Sequence, residues 1–75
     1  MKYSEEDLPD KFSCINSAGT HIFLTRENED SFILSSSTYE ESYLYSIRTI
    51  LNCLNNKTWY DFKIINTKEF NYDIY

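Results

Sequence analysis

One glycine, one proline and one histidine in 75 residues leave little room for several common functional devices. A phosphate-cradling loop of the P-loop or dinucleotide type needs several glycines close together, and Gly19 stands alone. A zinc centre needs four protein ligands, or three and a water, whereas Cys14, Cys53 and His21 follow no finger-like spacing. No metal or other cofactor is therefore expected. His21, in a β-type segment and without triad partners, reads as a surface or half-buried residue. Long apolar runs are also missing: none approaches the ~20 residues needed to cross a bilayer. Met1-Lys2-Tyr3-Ser4-Glu5-Glu6-Asp7 is followed by no apolar targeting core, so a cytoplasmic protein is expected. In a reducing compartment Cys14 and Cys53 are expected to be free thiols, and the glycosylation pattern Asn56-Lys57-Thr58 has no consequence there.

Positive charge is short as well. Seven basic residues against twelve acidic ones give a net charge of −5, which opposes direct contact with nucleic acid or an anionic membrane. The charge favours a protein partner, and a basic one. The chain is too short for more than one core, so residues 1–75 are expected to form a single domain with a stability of only a few kcal/mol. A second copy is one way to add to it. Yet 41% of the residues are hydrophobic and 17% aromatic, enough apolar surface to offset the entropy of ordering.

The pattern predicts an α+β fold: an antiparallel meander sheet of three to five strands with one long helix on one face, in the order β-β-β-α-β. After a polar, acidic leader over residues 1–10, β-type residues at Lys11–Asn16, Thr20–Arg26 and Ser31–Ser35 are separated by Ser17-Ala18-Gly19 and Glu27-Asn28-Glu29-Asp30, both short enough for hairpins. Phe12, Cys14, Ile22, Leu24, Phe32 and Leu34 alternate and are placed inward, with Ile15, Phe23 and Ile33 on the other side. A helix is predicted from Thr38 to Asn55, opened by capping-box pairs Ser37 with Glu40 or Thr38 with Glu41. Tyr43, Leu44, Ile47, Ile50, Leu51 and Leu54 then share a stripe about 120° wide. A further strand is predicted over Thr58–Asn66, and residues 67–75 alternate as a fifth strand or a docking tail would.

Chemistry is scarce in this layout. Cys14 would need a base to act as a nucleophile, but it falls on the inward side and His21 on the outward one. The carboxylate pairs Glu5-Glu6, Glu29-Asp30 and Glu40-Glu41 read as solvated charge or helix caps rather than acid/base or calcium sites. A non-enzyme is expected.

Charge distribution is more informative than its total. In a meander the start of the first strand and the second hairpin turn lie at one end of the sheet, so Glu5, Glu6, Asp7 and Asp10 should gather near Glu27, Glu29 and Asp30, relieved by Lys11 and Arg26. Tyrosine supplies large amphipathic contact area at low entropy cost. Of the seven tyrosines, Tyr43 belongs to the predicted core stripe, while Tyr45 is predicted to project from the opposite side of the helix, near Glu41 and Asn52. The candidate partner-binding residues are thus Glu5, Glu6, Asp7, Asp10, Glu27, Glu29, Asp30 and Tyr45.

A compact acidic chain rich in Asn, Ile, Lys and Tyr, with a three-stranded meander followed by a helix, resembles the small anti-defence proteins of bacteriophages, including some anti-CRISPR proteins. The resemblance covers the general layout and no motif, so it transfers no functional residue. It implies a non-catalytic inhibitor that occupies the basic nucleic-acid-binding surface of a larger protein, with carboxylates standing where phosphates would sit; a toxin-neutralising immunity protein is the nearest variant. From other classes come a structural or regulatory homo-oligomer that shields an apolar sheet face through Phe23, Ile33 and Trp59, and a small-ligand sponge with a pocket at a dimer interface.

Overall fold

The computed structural model describes residues 2–65 and is an α+β fold: a five-stranded antiparallel sheet with one helix packed on it. The strands are β1 (Lys11–Ile15), β2 (His21–Arg26), β3 (Ser31–Ser35), β4 (Tyr43–Ser46) and β5 (Tyr60–Ile64), with helix α1 (Ile47–Asn55) between β4 and β5. The sheet order is β4-β3-β2-β1-β5. Three successive connections therefore lay β1 to β4 side by side, and α1 carries the chain across the sheet to place β5 beside β1. The predicted tail over residues 67–75 lies outside the described residues.

The first three strands follow from alternation and turn chemistry. Cys14 pairs with Ile22 and Phe12 with Leu24, and Leu24 pairs in turn with Leu34, so the inward residues of neighbouring strands meet on one face. All six predicted inward residues are buried. Asn16 organises the first hairpin: its Oδ1 accepts from the N–H groups of Ala18 and Thr20, both at 3.0 Å, and Gly19 supplies the positive φ of 81° that the turn requires. In the second turn Asn28 Oδ1 accepts from Asp30 N at 2.8 Å and from the Ser31 hydroxyl at 2.9 Å.

The helix is half as long as predicted, and this corrects the sequence reading. Residues 38–46 are not helical; Tyr43–Ser46 form a fourth strand paired with β3, so the order is β-β-β-β-α-β. Aromatic residues at Tyr43 and Tyr45 suit a pleated surface, and as a strand they extend the sheet over the edge of β3. The two predicted capping boxes are passed over in favour of Ser46, the last residue of β4, whose backbone is still extended (φ −75°, ψ 154°) and whose Oγ accepts from Thr49 N at 3.2 Å to cap the helix. Ile47 N donates to the Asp30 carbonyl at 2.8 Å, giving a further helix-start N–H a partner. Ile47, Ile50 and Leu54 of the predicted stripe are buried and Leu51 half-buried, whereas Tyr43 and Leu44 are 49% and 66% exposed. The helix ends as predicted near Asn55-Asn56-Lys57, with Lys57 at φ 65° donating to the Leu54 carbonyl.

Two further differences matter for function. The leader is not a loose polar segment. Asn55 exchanges hydrogen bonds with the Tyr3 backbone, the Tyr3 and Phe62 rings meet at 5.2 Å with a tilt of 48°, and Leu8 is buried in the core. Trp59, named above as a candidate for an oligomer seam, is buried in the same core and closes the turn after α1 through Trp59 N to Cys53 O at 3.0 Å.

Candidate functional site

The meander does bring the β1 entry and the β2–β3 turn to one end of the sheet, because Lys11 pairs with Thr25 and Arg26 with Phe32. Asp10 is tied to that end directly. Its Oδ1 accepts from Arg26 Nε at 2.8 Å and its carbonyl from Arg26 N at 2.8 Å. The same guanidinium donates to the Leu8 carbonyl at 3.2 Å and lies 4.7 Å over the Phe32 ring. Arg26 is thus committed to anchoring the leader, through Asp10 and the Leu8 carbonyl, and among the described residues makes no ion pair with Glu27, Glu29 or Asp30.

Glu27, Glu29 and Asp30 are exposed and, among the described residues, form no ion pair. The Asn28 hydrogen bonds hold the turn that presents them. Glu5, Glu6 and Asp7 form a single 3₁₀ turn closed by Ser4, whose backbone N–H donates to Asp7 Oδ2 at 2.8 Å. Among the described residues no hydrogen bond or ion pair joins these three to the Glu27–Asp30 turn, and Asp7 lines a cleft with Lys2, Tyr3 and Phe62 toward β5. The turn cluster with Asp10 is therefore the part of the predicted acidic end that the structure ties together, and Glu5, Glu6 and Asp7 form a separate leader cluster.

Tyr45 is elsewhere than predicted. It does not project from a helix beside Glu41 and Asn52; it sits in β4 opposite Phe32, on the helix-covered side of the sheet, half-buried with its ring 5.7 Å from Trp59. Tyr43, opposite Leu34, points the same way. Helix α1, about 13 Å long from its nine residues, starts at the end where β4 finishes. It leaves the corner around Tyr43 uncovered.

In that corner Tyr39, Tyr43, Tyr45 and Trp59 wall a cavity of about 270 Å³ over a floor of Ile22 and Leu34. Tyr39 comes from the segment between β3 and β4 and meets Tyr43 edge to face at 6.0 Å. Its hydroxyl accepts from Asn16 Nδ2 at 2.8 Å, so the residue that orders the first hairpin also fixes this wall. The arrangement was missed in the sequence because residues 39–45 read as helix. The Tyr-Leu-Tyr alternation at 43–45 is the signal that points to it.

The remaining polar chemistry is muted. Cys14 and Cys53 are both free. Burial, and then the neighbouring Cys53, push the Cys14 thiol up to about 12, so it stays protonated at neutral pH and is a poor nucleophile. Cys14 faces the core, whereas His21, opposite Ile15, is exposed on the other face. Among the described residues no group of three His, Cys, Asp or Glu side chains is placed to hold a metal ion, and no helix is long and apolar enough to cross a membrane. Comparison with family models, with curated proteins and with solved structures finds no match.

Proposed function

We propose that this protein is a non-catalytic inhibitor that binds a larger, basic protein through its acidic end. The observation that carries the reading is the Arg26 anchor: the base that ends β2 at the turn is spent on Asp10, the Leu8 carbonyl and the Phe32 ring. Glu27, Glu29 and Asp30 are left exposed on a turn already ordered by Asn28. A pre-ordered turn loses little entropy when it docks, and its unpaired carboxylates suit a surface shaped for phosphates. With a nucleic-acid-binding protein as the target, the role is anti-defence or toxin-neutralising and is exercised in the host cytoplasm. Affinity capture from host extract at low and high salt tests it, alongside a variant with Glu29→Lys and Asp30→Lys. The expected result is a basic protein retained at low salt, released at high salt and lost with the variant. Capture that ignores both salt and charge reversal contradicts the proposal.

A second reading rests on a different observation. Among the described residues no second layer covers the sheet face away from α1, and Ile15, Phe23, Ile33 and Leu44 lie on it, Phe23 40% and Leu44 66% exposed. A homodimer through this face would cover a surface that a single helix leaves open. A dimer in sedimentation that persists at high salt and dissociates on Leu44→Lys supports it, and a monomer at all concentrations removes it.

A further inference from the structure

We propose that the aromatic cavity at the β4 corner binds an organic cation, specifically an alkylated ammonium group. The site stands apart from the acidic end, since Asn16, Ile22, Leu34 and Tyr43 come from the opposite ends of β1 to β4. Its walls are three tyrosines and the chain's single tryptophan, and aromatic faces attract cations through the ring quadrupole, tryptophan most strongly.

The lining selects among ligand classes. Among the described residues it carries no Lys, Arg or His, so an anion would enter without a countercharge. Among the described residues it carries no carboxylate either, which removes the oxygen ligands that a hard divalent metal ion needs. A flat heterocycle is best held between parallel rings, but the two ring pairs here are inclined at 81° and 51°. Inclined rings over an aliphatic floor enclose a compact, rounded group. The chain's net charge of −5, with exposed Glu40 and Glu41 between Tyr39 and Tyr43, raises the local concentration of cations at the mouth. The wall is ordered in advance, because Asn16 Nδ2 holds the Tyr39 hydroxyl at 2.8 Å. An alkylammonium group, free or on a methylated lysine side chain, fits each of these conditions.

The single tryptophan lines the cavity and so reports on it. Trp59 fluorescence is titrated with tetramethylammonium chloride, with neopentyl alcohol as a neutral probe of similar shape, and with sodium chloride to match ionic strength. The expected result is a saturable change with tetramethylammonium alone. Tyr43→Leu, at a half-exposed position where the fold does not depend on the ring, should weaken it at least tenfold while leaving the melting temperature nearly unchanged. A trimethyllysine peptide binding more tightly than tetramethylammonium assigns the group to a protein partner, and equal affinities assign it to a free ligand. No saturable change, equal binding of neopentyl alcohol, or a Tyr43→Leu protein that is folded and binds undiminished overturns the proposal.

Discussion

Asn16 donates through Nδ2 to the hydroxyl of Tyr39, 23 residues away, while its Oδ1 holds the turn between β1 and β2. One side chain thereby joins a hairpin to the segment that leads into β4. Tyr39→Phe removes only this bond and should cost about 1 kcal/mol. Asn16→Ala loses it together with the bonds that order the turn and should cost more. Combined with Asn16→Ala, Tyr39→Phe should add little, because its bond is already gone. Urea melts of the parent, the two single variants and the double variant check this; full additivity of Asn16→Ala and Tyr39→Phe contradicts it.

The shortened helix makes a second expectation. Ile50 is fully buried and Tyr43 half-exposed, so Ile50→Ala should cost about 2–5 kcal/mol, near the whole stability of so small a domain, and Tyr43→Ala under about 1 kcal/mol. In a single helix over residues 38–55 the two would lie on one buried stripe and cost comparable amounts. Thermal melting of the two variants separates the cases.

Those residues also explain how far the sequence was legible. The first three strands and both hairpins could be read because alternation at Phe12 to Leu34 and turn residues at 16–19 and 27–30 are local signals. The gathering of Asp10 with Glu27, Glu29 and Asp30 followed from connectivity alone. Residues 38–46 could not be read in the same way. Tyr43 and Leu44 continue the spacing of Ile47, Ile50 and Leu54, and what overrides that spacing is pairing with β3 and the Ser46 cap. The aromatic cavity was hidden for the same reason, since it depends on contacts between Asn16 and Tyr39 and between Tyr45 and Trp59, remote in the chain.

Cys14 gives a third expectation, in alkaline solution. Its thiol keeps its proton up to about 12 in the folded protein, whereas the unfolded chain releases it near 9. The contribution of the neutral thiol to stability is therefore fully present below pH 9 and lost as pH rises toward 12. Urea melts across this range should show a steeper alkaline decline for the native chain than for Cys14→Ala, which isolates the thiol from titrating tyrosines and lysines. Identical declines contradict it. A thiol reagent at pH 8 should likewise modify Cys14 only after unfolding.

The acidic end is tested most directly by association kinetics against the captured partner at two salt concentrations. If Glu27, Glu29 and Asp30 face a basic surface, the on-rate at low salt should exceed the ~10⁵–10⁶ M⁻¹s⁻¹ of unsteered association and fall as salt is added. Glu29→Lys with Asp30→Lys should remove most of that excess by slowing association, with a smaller effect on dissociation and none on folding, because both side chains are exposed. An on-rate that is the same at both salt concentrations and in the charge-reversed protein would contradict the account.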